Sequence, residues 1–126
     1  MTLSPWDSVQ GGLPRNYLRP CLMLLIAEAP SHGYDLLERL EQLGLGSTDA
    51  GGLYRALRAM EQDDLLESEW ETSEAGPARR KYSLTEEGAE WLHAWAGALR
   101  ESRRLLARFL DRYERVALTG DPKTNG

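Results

Sequence analysis

From Leu92 onward, apolar residues recur at alternating spacings of three and four. Leu92, Trp95, Leu99, Leu106, Phe109, Tyr113 and Val116 carry the pattern, and Ser102 is its one clearly polar member. This is an a/d seam of about four heptads. Thr85 offers an N-cap before it, and Glu86 and Glu87 suit the positive end of a helix dipole. The predicted helix has about 30 residues and a length of about 45 Å. In a chain of 126 residues, a core built from residues 1–84 cannot cover a helix that long. Trp91, Ala98, Leu105 and Leu110 widen the apolar stripe, and Arg100, Arg103, Arg104, Arg108, Arg112 and Arg115 line the remaining surface. The seam needs a partner, most simply the same helix of a second copy. Leu92, Trp95, Leu99, Leu106, Phe109 and Tyr113 are the expected dimer interface.

The preceding residues must form the globular part. Ser4, Pro5 and Trp6 open a short helix that Gly11, Gly12 and Pro14 end. Residues 16–29 are apolar nearly all round, which predicts a helix buried on most sides, with Pro20 in its first turn and Pro30 at its end. Ser31 is placed to cap a second helix from His32 to Leu43, with Leu36, Leu37, Leu40 and Leu43 as its stripe. Gly44 to Gly46 stop it, and Ser47, Thr48 and Asp49 offer caps for a third helix over residues 51–61. There Leu53, Leu57 and Met60 face a core, while Tyr54, Arg55 and Arg58 fall on the rest of the circumference. Gly51 and Gly52 leave the helix start open to the close approach of a phosphate. Two amphipathic helices with a short glycine-bearing connection match a helix-turn-helix unit.

Beyond Asp64 the period changes to two. Leu66, Ser68 and Trp70 alternate with Glu67, Glu69 and Glu71, and Arg80, Tyr82 and Leu84 alternate with Arg79, Lys81 and Ser83. Glu74 to Pro77 form the turn between two strands. A hairpin after a helix-turn-helix is a wing. The expected fold is mainly α with a small β-hairpin: a winged helix-turn-helix domain plus a long C-terminal dimerisation helix. Its expected parts are an N-terminal arm or short helix over 1–15, the winged domain over 16–85, the dimerisation helix over 86–118 and a flexible tail over 119–126.

Composition narrows the chemistry. A net charge of −5 means that any nucleic-acid face is a local patch in an acidic protein. The lone cysteine, Cys21, excludes an intramolecular disulfide and a cysteine-rich metal site, and fits a reducing cytoplasm. No apolar run reaches the roughly 20 residues of a membrane helix, and no signal-peptide pattern opens the chain. His32 and His93 are the two histidines, and no nucleophile or phosphate-loop motif accompanies them. The chain is read as neither an enzyme nor a holder of metal or cofactor.

A local cationic face is present, however. Arg55 and Arg58 project from one side of the third helix, where arginine can pair bidentately with guanine or phosphate. Tyr54 can donate to a phosphate, Gly52 permits close backbone approach, and Arg79, Arg80 and Lys81 on the wing can grip an adjacent stretch of backbone. These residues predict binding to double-stranded DNA, and a two-fold dimer predicts a palindromic operator. A ligand-binding or protein-interaction module on the same fold, without operator binding, is the alternative that the acidic balance keeps open.

Four segments, in order, also carry a resemblance: His32-Gly33-Tyr34-Asp35-Leu36; Gly51-Gly52-Leu53-Tyr54-Arg55-Ala56-Leu57; Leu65-Leu66-Glu67-Ser68-Glu69-Trp70; and residues 76–88, Gly-Pro-Ala-Arg-Arg-Lys-Tyr-Ser-Leu-Thr-Glu-Glu-Gly. Together they resemble the PadR family of bacterial transcriptional regulators, in its short form with a single last helix. Gly52 stands where the family usually has threonine, and Arg55 where proline is frequent. The resemblance implies a homodimeric winged-helix repressor, dimerised through its last helices and released from DNA by a small molecule. Multidrug-sensing relatives hold planar aromatic ligands between the last helices and the first. Mapped here, that site falls near Leu13, Arg19, Trp95 and Leu99. Leu99 replaces the tryptophan of those relatives; Trp91 and Trp95 either supply the aromatic surface instead or pack against the other subunit, and packing is the favoured reading of the two.

Overall fold

The computed structural model describes residues 16–73 and 76–118. The short helix with Trp6, the arm residue Leu13, Glu74 and Ala75 of the turn, and the tail 119–126 lie outside the described residues. The described chain runs α1 (Leu18–Glu28), β1 (Ser31–His32), α2 (Gly33–Arg39), a 3-10 turn (Leu40–Leu43), α3 (Ala50–Gln62), β2 (Leu66–Ser73), β3 (Gly76–Leu84) and α4 (Glu86–Leu118). It divides into two compact units, one ending at Glu90 and one beginning at Trp91.

In the first unit, α1 is the central helix that its composition predicts: Cys21, Leu22, Met23, Leu25 and Ile26 are buried. Pro20 occupies the first turn, where its missing N–H leaves no carbonyl unsatisfied. The far end of α1 is closed from outside. Arg39 donates through Nη2 to the Leu25 carbonyl and to Glu28 Oε1, both at 3.0 Å, and through Nη1 to Ser31 Oγ at 2.8 Å. A guanidinium there adds a second donor to the Leu25 carbonyl, which also accepts the Ala29 N–H, and sits at the negative end of the helix dipole.

Ser31 does not cap the second helix. Its hydroxyl donates to the Ala29 carbonyl at 2.7 Å and accepts from Arg39, so it is not free for the helix start. Ser31 and His32 are instead a two-residue strand, antiparallel to β3 opposite Tyr82 and Lys81. The helix begins at Gly33 and tightens at Leu40 into the 3-10 turn that ends at Gly44. The sheet therefore has three strands, in the order β1-β3-β2.

Helix α3 buries Leu53, Leu57 and Met60 completely, together with Leu36 and Leu40 of the preceding helical segment. Strands β2 and β3 pair from Leu66↔Leu84 outward through Ser68↔Tyr82 and Trp70↔Arg80. Only the base of this hairpin joins the core: Leu66 and Tyr82 are buried, whereas Trp70, expected on the inner face with Leu66, is 63% exposed. The alternation is correct, but the core ends at the Ser68–Tyr82 row, and the outer hairpin extends past it as a wing.

Thr85 links the wing to α4. Its hydroxyl accepts the Gly88 N–H at 2.9 Å and donates to the Asp64 carbonyl at 2.7 Å. Gly88 is buried in the first turn of α4, and a Cβ there would strike the Leu65 carbonyl and come within 2.9 Å of Leu84 Cδ1. The obstacle is backbone, so it cannot swing aside.

The second unit is the rest of α4. Trp91 and Trp95, one turn apart, bring their ring centroids to 5.4 Å at 42°. Leu92 and Leu99 are half-buried, while Leu106, Phe109 and Tyr113 are exposed on this chain. No helix among the described residues is long and apolar enough to cross a membrane.

Two outcomes follow for stability. Leu57→Ala removes a fully buried side chain and lowers the unfolding free energy by about 2–5 kcal/mol in urea titration. Gly88→Ala costs about 1–3 kcal/mol by forcing a methyl against fixed backbone, whereas alanine at exposed Gly97, with open space around its Cβ position, carries no such clash.

Burial also pushes the Cys21 thiol up from its ordinary value, against a hydrogen bond from Tyr17 that lowers it. The folded chain then holds that proton more tightly than the unfolded one. The contribution is complete below the unfolded thiol value and declines as pH rises past about 8.5. Cys21→Ala should therefore show a shallower alkaline loss of urea midpoint than the parent protein.

Candidate nucleic-acid interface

The rotational setting of α3 decides what can meet a partner. With Leu53, Leu57 and Met60 facing inward, Tyr54, Arg55 and Arg58 are all exposed. One donor of the helix start is already taken. Asp49 is its N-cap, and the carboxylate accepts the Gly52 N–H at 2.9 Å. That N–H is not on offer to a phosphate while the cap holds, which corrects the simplest role for Gly52. The glycine instead makes room for the cap, because a Cβ at this position would lie 2.7 Å from Asp49 Oδ1. The Arg55 guanidinium lies over the same turn, with Nη1 3.2 Å from where a Gly51 Cβ would be.

Tyr54 lies against the start of α2. A Cβ on Gly33 would fall 2.5 Å from the ring at Cε1, so the Tyr54 ring takes this position only because residue 33 has no side chain. Next to it, His32 faces the wing: Nδ1 is 3.3 Å from Asp35 Oδ2, and Nε2 is 3.6 Å from Glu71 Oε1. Nε2 is buried and makes no hydrogen bond.

The run Arg79-Arg80-Lys81 does not act as one block. Lys81 is half-buried and its Nζ is 3.4 Å from Glu71 Oε2, so much of its charge is met within the protein. Arg79 and Arg80 are exposed, and Arg80 lies over the Trp70 ring with Cζ 5.0 Å from the centroid. Among the described residues no carboxylate forms an ion pair with Arg55, Arg58, Arg79 or Arg80, in contrast to Arg19, which meets Asp63 at 3.4 Å.

These groups border one cleft of about 470 Å³. Tyr54, Arg58 and Glu61 of α3 form one wall, Trp70 and residues 78–80 with Tyr82 the other, and His32, Gly33 and Tyr34 the end. Glu61 is held back by Ser68, whose hydroxyl donates to it at 2.7 Å. Burial, with the Glu61 carboxylate nearby, pushes the Tyr82 hydroxyl above the ordinary phenol range. The cleft thus joins the exposed faces of α3 and the wing, and carries three arginines, Arg58, Arg79 and Arg80, against the one carboxylate of Glu61.

Of the residues named from sequence, Tyr54, Arg58, Arg79 and Arg80 come together here. Arg55 and Gly52 sit at the start of α3, and Lys81 is diverted to Glu71. Arg19 is on α1, Trp91, Trp95 and Leu99 are on α4, and Leu13 lies outside the described residues. Sequence reasoning missed Gly33, Tyr34 and the Trp70–Arg80 pair. The first two are visible only once α2 meets α3, but the last follows from the strand register.

A cationic cleft between the third helix and the hairpin of a winged helix-turn-helix defines a regulator of the winged-helix class. Within that class the affiliation is specific. Residues 22–94 match the model of the transcriptional regulator PadR-like family, and the chain belongs to that family. It is a family of transcription factors and not of enzymes. A PadR-like transcription factor from Bacteroides fragilis is 30% identical, over 82% of this chain and 99% of that one, with a TM-score of 0.67. A PadR family regulator from Eggerthella lenta is 27% identical over 82% of this chain and 90% of that one, at a TM-score of 0.70. Bacillus subtilis PadR, solved in complex with operator DNA, shares the fold at a TM-score of 0.60 and 22% identity, over 66% of this chain and 48% of that one. A comparison with curated proteins finds no match.

The Gly33–Tyr54 contact gives a separable outcome. The tyrosine ring is 42% exposed and can swing out, so Gly33→Ala leaves the unfolding free energy within about 1 kcal/mol of the parent. The displaced ring should instead show as a changed Tyr54 environment in aromatic NMR spectra.

Proposed function

We propose that the protein is a sequence-specific DNA-binding transcriptional regulator, a homodimeric repressor that acts in the cytoplasm and is released by a small-molecule effector. The observation that carries the DNA reading is the placement of Arg58 on α3 and Arg79 and Arg80 on the wing around one cleft, with no carboxylate pairing any of them among the described residues. In this reading α3 enters the major groove, where Arg58 and Arg55 reach base edges or phosphate, and the wing grips the adjacent backbone. The operator complex of Bacillus subtilis PadR supports it by relation.

Dimerisation is assigned to α4. Leu106, Phe109 and Tyr113 are 62%, 68% and 55% exposed on the single chain, a stripe with the heptad spacing of a helix that has a partner. Leu92, Trp95 and Leu99 continue it. Two such chains present two α3 helices, so the operator is palindromic. The effector site is assigned to Leu13, Arg19, Trp91, Trp95 and Leu99, on the resemblance to multidrug-sensing relatives.

The reading is tested by gel shift on duplex DNA upstream of the protein's own gene. Arg58→Ala and Arg79→Ala should each weaken binding by roughly 5- to 150-fold. Where the arginine neutralises a phosphate, its removal should also lower the slope of log affinity against log salt by about one. A protein that retards none of this DNA at low salt contradicts the proposal. Sedimentation should show a dimer that Phe109→Glu converts to monomer.

A further inference from the structure

Trp70 departs from the usual behaviour of a tryptophan. It sits on the inward-facing register of β2, in line with Leu66 and Ser68, yet it is 63% exposed. The largest side chain of the hairpin is thus placed beyond the core, where it gains little from burial. Its neighbour is Arg80, directly opposite in the register, with the guanidinium carbon 5.0 Å from the ring centroid.

That contact differs in kind from those of the other ordered cations. Lys81 meets Glu71, Arg19 meets Asp63, and Arg39 meets Glu28, each pairing charge against charge. Arg80 is held by an aromatic face instead. A guanidinium over a ring face keeps its full charge, and its five N–H donors are not consumed by a carboxylate. An arginine on an exposed strand would otherwise sample many rotamers and lose that freedom on binding. Trp70 and Arg80 both border the cleft that Arg58 borders from α3.

We propose that Trp70 is a positioning residue for the wing: it holds Arg80 charged, unpaired and oriented on the cleft shared with α3, so that the guanidinium meets the DNA backbone without a prior ordering cost. The inference rests on the DNA-binding reading given above and deepens it, since neither the family affiliation nor the charge pattern assigns Trp70 a part.

The test uses the full chain and the duplex upstream of its own gene, by equilibrium titration at several salt concentrations. Trp70→Ala, Trp70→Phe, Arg80→Ala, the Trp70→Ala/Arg80→Ala double variant and Arg58→Ala are compared. Trp70→Ala should weaken binding roughly three- to tenfold, and Trp70→Phe, which keeps a ring face, should recover most of that loss. Trp70→Ala should leave the salt slope unchanged because no charge is removed, whereas Arg80→Ala lowers it by about one. In the Arg80→Ala background, the Trp70 change should have no further effect.

Additive losses overturn the proposal, as does a Trp70→Ala variant that binds like the parent while Arg58→Ala does not. If Arg58→Ala and Arg80→Ala both bind like the parent, the DNA-face reading fails and takes this inference with it.

Discussion

The complete burial of Leu53, Leu57 and Met60 fixes the rotation of α3, and the functional surface depends on that rotation. An α-helix advances about 100° per residue, so three anchors spread over two turns leave no freedom about the axis. Tyr54 and Arg58, one turn apart, must then share the outer side, with Arg55 next to them. The anchors work only because α1 and α2 present Leu22, Met23, Ile26, Leu36 and Leu40, all nearly or fully buried, as a common core. A cavity at Leu57 would loosen the phase of the helix as well as the fold, since packing at that point is what aims the arginines.

An acidic chain with a cationic face has to keep its charges sorted, and local pairing is how this one does it. Net charge is −5, yet the four arginines at α3 and the wing carry no ion pair among the described residues. Acidic groups close to them are engaged elsewhere: Glu61 accepts from Ser68, Asp49 from the Gly52 N–H, and Glu71 takes Lys81 and faces His32. Each of these carboxylates has a partner other than an arginine. Exposed ion pairs contribute little to stability in their own right, so their larger effect here is to leave the guanidinium groups available. Long-range repulsion from the rest of the chain would still act on a polyanion, and it is screened beyond about 8–10 Å at physiological salt.

What is legible in the sequence follows periodicity. The buried α1, the anchors of α3, the hairpin and the long α4 are all readable, because each is set by spacing within one segment. The errors arise where one segment answers to another. Ser31 has the composition of an N-cap, but Ala29 and Arg39 claim its hydroxyl and β3 claims its backbone. Trp70 has the parity of a core residue, but parity gives the face of a strand and not where the core stops along it. Gly52 stands at the start of α3, and Asp49, three residues earlier, takes its N–H. The cationic side chains stand out as a set, but their division into paired Lys81 and unpaired Arg79 and Arg80 needs the position of Glu71.

Helix α4 carries the same logic to the proposed dimer. Its apolar surface is wider than an a/d seam: Leu105 and Leu110, flanking Leu106 and Phe109, are themselves 53% and 49% exposed. A strict two-stranded coiled coil covers little beyond the a and d positions, and would leave both leucines in water. A stripe of this width is covered when a helix lies in the angle between two neighbours. In the proposed dimer, the surface that meets α4 would accordingly have to be wider than one helix. Ser102 is exposed on α4, between the Trp95–Leu99 half of the seam and the Leu106–Tyr113 half. A single polar residue at such a position stabilises little, but it can fix which layers meet. In the proposed dimer, that registry would set the spacing of the two α3 helices along the operator.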